Sequence, residues 1–562
     1  MPVRKRIVIV GGVAAGASAA CRARRLDERA EIVLLERGPD VSFANCGLPY
    51  HVAGTIRDRE TLIVQTAEAL ARRFALDVRV EHEVLSIDRA AKELRVMDRR
   101  RGREYRQGYD ALVLCTGAEP TRPPIPGADH PRVLTLRTLG DMDAILASLQ
   151  SAPVDRAVVV GAGYVGLEMA EALCFAGVEV SLVEALPQVM GPADPEMAVL
   201  CNPELIRNGV DLYLGTTVTA IRPREDALDV VLSSGATLPC GLVLLATGVR
   251  PETRLAAEAR LELGPTGGIK VDDAMRTSDP AIWAAGDAVQ VRDTVTGEPA
   301  LLPLAGPANR QGRTAADAIA GRQVAYRGTQ GTAICKVFEL TIAMTGRSEK
   351  SLRKLGHPVE KVYVHSADHA SYYPAATPIH LKLLFDPRDG RILGAQAVGA
   401  KGVDKRIDVL AVALRAGMTV FDLEHLELCY APPFGSAKDP INMAGFVASN
   451  ALRGDVRLAD VADVSSPGPH QIVLDVRDPE EVAQGALPGA ACIPLDDLRR
   501  RLDELPRDRE ILVICAVGMR GYAACRILQQ EGFECSNLSG GFTLYRMWTA
   551  AREAGLGSGP VT

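Results

Sequence analysis

One local pattern occurs twice in the chain and constrains its fold more than any other feature. A short apolar run, residues 7–10, leads into the turn GGVAAG at residues 11–16 and then into a helix of small residues. A second apolar run, residues 157–160, leads into GAGYVG at residues 161–166. A β-branched run that ends in a glycine turn before a helix is typical of a buried strand in a parallel sheet. The sequence therefore predicts two related units of strand, turn and helix.

Each unit continues into a second strand that ends in a glutamate. EIVLLE ends at Glu36, twenty residues after Gly16, and VEVSLVE ends at Glu184. Glycines let backbone N–H groups approach a pyrophosphate at the helix N-terminus, and the carboxylate can accept hydrogen bonds from a ribose. Two such units predict two bound dinucleotides. Glu184 favours NADH over NADPH, because a carboxylate repels a 2′-phosphate.

Three further strand endings fit the same plan. LVLCTG at residues 112–117 and LLATG at 244–248 end in Thr-Gly, and IWAAGD at 282–287 ends in Gly-Asp before a helix start near Ala305. This arrangement resembles the flavoprotein oxidoreductases with two dinucleotide-binding domains, the pyridine nucleotide-disulfide oxidoreductase family. The resemblance implies that the first unit binds FAD and the second NADH, and that Asp287 meets the flavin ribityl chain.

The resemblance assigns two sets of cofactor-binding residues. The expected FAD contacts are Gly11, Gly12, Ala15, Gly16, Glu36, Arg37, Thr116, Gly117, Asp287 and Ala305. The expected NADH contacts are Gly161, Gly163, Tyr164, Val165, Gly166, Glu184 and Gly248. No metal site is predicted.

A single cysteine, Cys46, lies where the chain would begin to run along the flavin ring. It stands in SFANCGLPY at residues 42–50. The dithiol members of the family carry a second cysteine five positions later, where this chain has His51. With no local partner, Cys46 must form a mixed disulfide with a substrate or be oxidised to a sulfenic acid. Attack requires the thiolate, so we expect the flavin ring and a helix dipole to favour the anion.

The motif around Cys46 resembles the single-cysteine subgroup of the family, which includes NADH oxidases, NADH peroxidases and coenzyme A disulfide reductases. Its Leu-Pro-Tyr continuation is most similar to the coenzyme A disulfide reductases. The resemblance implies a cycle in which NADH reduces FAD, reduced FAD opens a mixed disulfide at Cys46, and the thiolate attacks the next substrate. The expected substrates are coenzyme A disulfide, coenzyme A persulfide and polysulfide.

From about residue 332 the pattern resembles the dimerisation domain of the same family, which implies a homodimer. Two tyrosine motifs stand out there, SYYP at residues 371–374 and LCYAPPF at 428–434. By the resemblance, Tyr430 and Tyr372 would stabilise sulfur or a departing thiolate across the dimer. For SYYP, simple packing with satisfied hydroxyls is an equal alternative. Coenzyme A carries phosphates, so a basic residue is expected near Cys46, and Arg22 is the candidate.

A polar linker after Asn450 leads to a new α/β pattern of about 100 residues, enough for a separate domain. The strand EILVI at 510–514 ends at Cys515, which opens the loop CAVGMR before a helix. A cysteine between a strand end and a helix start is surrounded by backbone N–H groups that stabilise a thiolate or persulfide. The segment resembles a rhodanese domain. The resemblance implies a persulfide at Cys515, with Gly518 and Arg520 shaping the loop.

These inferences give an α/β chain with two Rossmann-like dinucleotide-binding domains, an α+β dimerisation domain and a C-terminal α/β rhodanese domain. The expected boundaries are residues 1–115 with 250–325 for FAD, 116–249 for NADH, 326–450 for the dimerisation domain, 451–465 for the linker and 466–562 for the rhodanese domain.

Composition excludes other classes of protein. A formal net charge of -6 with dispersed basic residues argues against nucleic-acid binding, and no apolar stretch reaches the roughly 20 residues that span a bilayer. The twelve cysteines are scattered without a CxxC pair, which favours a reducing cytoplasm. Two alternatives remain: an NADH oxidase or peroxidase that uses a Cys46 sulfenic acid, and a non-catalytic flavin-based sulfur sensor.

Overall fold

The computed structural model describes residues 4–151 and 154–554. Its contacts divide the chain into two units, Met1–Leu182 with Val218–Thr329 and Val183–Thr217 with Gln330–Thr562. The elements up to residue 151 are β1 Arg6–Val10, α1 Ala14–Leu26, β2 Glu31–Glu36, α2 Leu48–Val52, α3 Ala67–Phe74, β3 Asp77–Val80, β4 His82–Asp88, β5 Glu93–Asp98, β6 Arg103–Gly108, β7 Ala111–Leu114, β8 Ala118–Pro120, β9 Val133–Leu134 and α4 Leu139–Ser151.

The elements from residue 154 to residue 329 also begin with a strand, a helix and a strand, and they continue mainly as strands. They are β10 Arg156–Val160, α5 Tyr164–Phe175, β11 Glu179–Val183, α6 Pro195–Ala198, α7 Asn202–Arg207, β12 Val210–Tyr213, β13 Val218–Pro223, β14 Leu228–Leu232, β15 Thr237–Cys240, β16 Leu242–Leu245, β17 Val249–Pro251, α8 Arg254–Glu258, β18 Ile269–Lys270, β19 Ile282–Ala284, β20 Val289–Arg292, β21 Pro299–Ala300 and α9 Ala305–Ile319.

The remaining elements begin with a run of antiparallel strands and end with a second α/β pattern. They are β22 Ala333–Val337, β23 Leu340–Gly346, α10 Glu349–Lys354, β24 Glu360–Ala367, β25 Pro378–Phe385, β26 Ile392–Gly399, α11 Val403–Ala416, α12 Val420–Glu424, α13 Pro440–Leu452, β27 Arg457–Ala459, α14 Val461–Ser465, β28 Gln471–Asp475, α15 Pro479–Ala483, β29 Ala491–Cys492, α16 Leu495–Leu498, β30 Glu510–Ile514, α17 Met519–Gln530, β31 Cys535–Leu538 and α18 Gly541–Ala554.

A parallel sheet in the order β19-β7-β1-β2-β3 forms the core of the first unit. Its central strand β1 is apolar throughout its buried part, and Val8 and Ile9 are fully buried. Helices α1 and α9 pack tightly because a Cβ on Gly312 would lie 2.1 Å from the Ala15 carbonyl oxygen. The helix starts of both elements are therefore held at one edge of this sheet.

The duplicated pattern forms a second parallel arrangement in the same unit, in the order β11-β10-β16-β9. Strand β10 and helix α5 occupy the places predicted from the second glycine turn. The antiparallel pair β8 and β17 joins the two halves of the duplication, since Ala118 faces Pro251 across it. The sequence prediction of two similar nucleotide-binding folds is confirmed at this level.

The second unit contains an antiparallel sheet in the order β22-β23-β26-β25-β24, against which α11 packs. Lys382 on β25 is fully buried, and its ammonium lies 2.8 Å from Asp194, 2.5 Å from Glu196 and 2.7 Å from Glu349. The three carboxylates have the spacing of a metal site, but the lysine supplies the cation among them. Burial of this cluster is tolerated because every charge has a partner.

The C-terminal part of the second unit is a parallel sheet in the order β27-β31-β30-β28-β29. Strand β30 lies at its centre, and Ile511, Val513 and Cys515 belong to its buried core. Strand β24 meets this part through Ser539, whose hydroxyl accepts a hydrogen bond from Tyr363 N–H at 2.9 Å. Within the described ranges no helix has the length and apolar character needed to cross a bilayer.

Candidate active site

The first glycine turn is built for close approach of backbone to backbone. A Cβ on Gly16 would lie 1.8 Å from the Gly11 carbonyl oxygen, and Gly11 itself has a φ of +95°. Helix α1 then begins after Val13 without a side-chain cap. Its first N–H groups are therefore available to an anion, as a pyrophosphate requires.

Glu36 ends β2 beside this turn. Its carboxylate accepts hydrogen bonds of 2.8 Å from the N–H groups of Gly12 and Gly38. Each oxygen keeps a second lone pair, so the carboxylate can also accept a bond from a ribose hydroxyl. The next residue, Arg37, pairs with Glu119 at 3.1 Å.

Asp287 follows Gly286, whose N–H donates to Gln311 on α9 at 2.8 Å. Burial raises the pKa of Asp287, and the nearby Arg137 partly opposes that rise. Ala305 is the first residue of α9, which also begins without a side-chain cap. The structure thus places the predicted Gly-Asp turn and the helix start of α9 on the same core sheet as the glycine turn.

Arg137 is a residue of this region that sequence reasoning missed. Its guanidinium donates to the Thr116 carbonyl oxygen at 3.1 Å, and burial lowers its pKa. With Arg37, Glu119 and Arg250 it lines an open pocket of about 400 Å³. An arginine in a loop before a helix carries no sequence signal of its own, because its role depends on contacts with distant segments.

Cys46 lies in the short turn Asn45–Gly47, directly before α2. The thiol is exposed to solvent, yet enough protein surrounds it that burial raises its pKa, and Glu168 and then Asp287 raise it further. The chain by itself therefore favours the thiol. The expected contributions of the flavin and of a helix dipole stay predictions.

Tyr50 and Glu168 complete this part of the site. The Tyr50 hydroxyl donates to Glu168 at 3.1 Å, and burial of Glu168 raises its pKa. The two residues are 118 positions apart, so their spacing in the sequence does not predict this contact. The His51 ring donates through Nδ1 to the Ile56 carbonyl oxygen at 2.6 Å, which fixes its tautomer.

The second glycine turn repeats the geometry of the first. A Cβ on Gly166 would lie 1.8 Å from the Gly161 carbonyl oxygen, while the space around Gly163 is open. Helix α5 begins at Tyr164 without a side-chain cap, and Val165 in its first turn is exposed. In the second unit, the carboxylate of Glu184 accepts a hydrogen bond from Leu186 N–H at 2.8 Å. Gly117 and Gly248, which end the two Thr-Gly turns, both have positive φ.

The two tyrosines predicted from the dimerisation segment meet in the second unit. Their hydroxyls are 3.0 Å apart, and this hydrogen bond to Tyr430 raises the pKa of Tyr372. Tyr372 is 74% exposed. Tyr373 instead packs edge-on against His369. The geometry therefore distinguishes the two tyrosines of SYYP, and Tyr372 is the one that pairs with Tyr430.

The three arginines of α1 have different surroundings. Arg22 pairs with Asp317 at 2.7 Å. Arg24 is buried and donates to five backbone carbonyl groups, and Arg25 lies over the Phe74 ring. Arg24 is thus structural, and Arg22 could bind a phosphate only in competition with Asp317.

The loop after β30 holds Cys515 in a preformed anion site. Its sulfur is fully buried and accepts a hydrogen bond from Gly518 N–H at 3.1 Å. Gly518 has a φ of +98°, a backbone conformation that would be strained in a residue with a side chain. The carbonyl oxygens of Cys515 and Ala516 accept bonds from the start of α18, at 2.7 and 3.0 Å. The beginning of the loop is therefore fixed by backbone hydrogen bonds.

Arg520, the second residue of α17, points to two acidic residues that sequence reasoning did not single out. Its guanidinium lies 3.0 Å from Asp478 and 2.7 Å from Glu481. The Arg520 hydrogen bond lowers the pKa of Glu481 to about 2. The Glu481 carboxylate is therefore charged at neutral pH.

Residues 5–312 match the family pyridine nucleotide-disulphide oxidoreductase, residues 332–439 its dimerisation domain, and residues 459–547 the rhodanese-like domain. These matches confirm the predicted fold class, an oxidoreductase enzyme, and the cofactor pair FAD and NAD(H). The individual site residues and the domain boundaries stay predictions.

Two solved structures resemble nearly the whole chain. Reduced Bacillus anthracis CoADR-RHD is 45% identical, with a TM-score of 0.95 over 98% of this chain and 99% of the other. An NAD-dependent persulfide reductase from A. fulgidus is 38% identical, with a TM-score of 0.89 over 96% and 100%.

Curated relatives match the part before the rhodanese domain. A coenzyme A disulfide reductase of Staphylococcus aureus and an NADH oxidase of Methanocaldococcus jannaschii are each 34% identical. The alignments cover 79% and 80% of this chain and 99% of each relative.

Proposed function

Because the chain belongs to the pyridine nucleotide-disulphide oxidoreductase family, we propose that it uses NADH to reduce sulfur–sulfur bonds of coenzyme A persulfide, coenzyme A disulfide or polysulfide at Cys46. The observation that carries this proposal is one exposed cysteine in the first unit, with Tyr50, Glu168 and Asp287 around it. The similar protein from A. fulgidus supports a persulfide as substrate.

The residues present fit the two cofactors. The uncapped starts of α1 and α5 and the close glycine turns suit two pyrophosphates, and Glu36 and Glu184 suit their riboses. Bound FAD, reduced by NADH, supplies two electrons, and its electron-poor oxidised ring favours a nearby thiolate. This effect of the flavin ring on the thiolate is needed because burial, Glu168 and Asp287 raise the pKa of the Cys46 thiol.

At Cys46, the thiolate attacks the inner sulfur of a persulfide R–S–SH. A bond forms between the Cys46 sulfur and the carbon-bearing sulfur, the S–S bond breaks, and HS⁻ leaves with the electron pair. Two electrons then cleave the mixed disulfide and return the Cys46 thiolate and R–S⁻. Glu168, which accepts a hydrogen bond from Tyr50 and whose pKa burial raises, is the carboxyl group placed to exchange a proton with a departing anion.

At Cys515, the buried sulfur carries sulfane sulfur as a persulfide. The Gly518 N–H group and the start of α17 stabilise its negative charge. Sulfur held there would be passed to a thiol such as coenzyme A and then reduced at Cys46.

The dimerisation domain supports a homodimer. Within it, Tyr372 and Tyr430 would hydrogen-bond sulfur at the flavin site of the partner subunit, and Arg22 would bind a coenzyme A phosphate. All twelve cysteines are free thiols, which supports a reducing compartment, the cytoplasm.

A second candidate function is reduction of oxygen or peroxide through a Cys46 sulfenic acid. The relative from M. jannaschii, an NADH oxidase, favours it. The rhodanese domain and the tyrosine pair favour sulfur substrates.

Anaerobic stopped-flow spectroscopy tests whether the enzyme reduces sulfur substrates or oxygen and peroxide. The enzyme is reduced with one equivalent of NADH and mixed separately with coenzyme A persulfide, coenzyme A disulfide, polysulfide, peroxide or oxygenated buffer. We expect fast flavin reoxidation with a sulfur substrate. Fast reoxidation by peroxide or oxygen alone would reject the proposal in favour of the second candidate.

A further inference from the structure

The outer face of the Cys515 loop is apolar. Two side chains of the loop, Val517 and Met519, are 36% and 66% exposed, although large apolar residues are usually withdrawn from water. They flank Gly518, which contacts the buried sulfur through its N–H group. The loop that holds Cys515 therefore exposes two apolar side chains to solvent.

The single cation of the loop is neutralised. Arg520 forms ion pairs with both Asp478 and Glu481. These three side chains together carry two formal negative charges and one positive charge. The next arginine, Arg477, is buried against Asp475 at 2.7 Å and lies over the Phe542 ring. Neither arginine offers an unpaired positive charge to an incoming anion.

We propose that the Cys515 loop selects organic persulfides, whose reacting sulfur is attached to an uncharged alkyl chain, and discriminates against inorganic dianions such as thiosulfate. This inference rests on the proposed role of Cys515 as a sulfur carrier. An alkyl persulfide places methylene groups against Val517 and Met519, where burial of apolar surface stabilises it. Thiosulfate would bring two negative charges to a face with excess negative charge, and both would lose hydration.

The chemical step is the same for both donors. The Cys515 thiolate attacks the outer sulfur of R–S–SH, a bond forms between the two sulfurs, and the original S–S bond breaks. Its electron pair leaves on R–S⁻, which takes up a proton from water, and Cys515 becomes a persulfide. With thiosulfate the leaving group is sulfite, a second dianion. No external oxidant or reductant is required.

The test measures how fast each donor adds one sulfur to Cys515. The full chain carrying Cys46→Ser, with FAD bound, is mixed with the persulfide of N-acetylcysteamine or with thiosulfate at equal concentrations, and Cys515 persulfide is measured by mass spectrometry. We expect the alkyl persulfide to react at least about tenfold faster. Equal rates, or a faster reaction with thiosulfate, would overturn the inference while leaving Cys515 a sulfur carrier.

A change of charge at the loop makes the test sharper. Met519→Lys should raise the thiosulfate rate by about tenfold, because the new ammonium attracts the dianion. Met519→Gln, which has similar length and no charge, should not raise it. Asp478→Asn with Glu481→Gln should also raise the thiosulfate rate by releasing Arg520. If no charge variant with unchanged melting temperature alters the thiosulfate rate, electrostatic selection is wrong.

The two proposals fail in different ways. If neither donor adds sulfur to Cys515, the proposed role of Cys515 as a sulfur carrier is wrong, and the proposed selection between the two donors is wrong as well. If Cys515 shows the expected preference but NADH reduces no persulfide in the native enzyme, only the proposal for Cys46 fails.

Discussion

The two cysteines proposed to react, Cys46 and Cys515, lie in opposite surroundings. Cys46 is exposed, and burial and two carboxylates raise the pKa of its thiol. Cys515 is fully buried, and a backbone N–H group points at its sulfur. In the proposed roles, the chain itself supplies a hydrogen bond to the sulfur of Cys515, whereas Cys46 needs a bound cofactor to favour its thiolate. Each site can therefore be disabled separately.

The largest expected effect comes from Cys46→Ser. Without this sulfur no mixed disulfide can form, so NADH-dependent persulfide reduction should fall by about 10³-fold or more, while NADH still bleaches the flavin. Steady-state turnover and the flavin absorbance measure the two steps. Cys515→Ser is the matched control and should retain reduction of added coenzyme A persulfide. If the two variants lose turnover equally, the sites are not separable.

Gly541→Ala should damage the Cys515 site alone. An added Cβ would lie 2.2 Å from the Cys515 carbonyl oxygen, and the residue has a φ of +56°. We expect the rhodanese domain to lose about 2–4 kcal/mol of unfolding free energy and Cys515 to lose its persulfide. Thermal unfolding and mass spectrometry follow these changes. Gly489→Ala has a similar φ of +79° but open space around it, so it should cost clearly less.

Ser539→Ala should weaken the attachment of the Cys515 loop more mildly. The hydroxyl is buried and bonds Tyr363 N–H, so its removal should cost about 1 kcal/mol. The unfolding transition of the full chain and the rate of sulfur addition at Cys515 are the measurements. Ser465→Ala, which removes only a bond to Val461 within its own helix, is the control. An equal loss in the two variants would show that the contact with Tyr363 has no special effect.

Glu168→Gln should give the smallest effect, at Cys46. A carboxylate near a thiol disfavours the thiolate and raises its pKa, so removal of that charge should lower the pKa of Cys46. Iodoacetamide should then alkylate Cys46 about threefold faster at pH 7, and the pH profile should move to lower pH. Glu179→Gln, an exposed position, is the control. A profile that moves to higher pH would contradict the assigned influence of Glu168.

Local patterns were sufficient to predict the fold. The turns at Gly11 and Gly161 and the cysteine at the end of β30 are each defined within a few consecutive residues, and the structure has the predicted elements there. Hydrophobic periodicity and glycine spacing carry this information because they report on a single element and its neighbour.

The missed features all depend on contacts between distant segments. Tyr50 meets Glu168 across 118 positions, and Arg520 meets Asp478 across 42. Arg137 contacts Thr116 only because the chain folds back on itself. The influence of Asp287 on the pKa of Cys46 is of the same kind, since Asp287 lies far from Cys46 in the sequence. Sequence spacing does not encode such pairs.

The buried ammonium of Lys382 has a consequence for folding during synthesis of the protein. Asp194 is made 188 residues earlier than the lysine that neutralises it, and Glu196 is made 186 residues earlier. Until the ribosome has synthesised Lys382, these two carboxylates cannot be buried, because an uncompensated buried charge costs too much free energy. The segment around α6 must therefore stay exposed to solvent on the nascent chain until β25 has been synthesised. A chain that ends before β25 could not bury this segment.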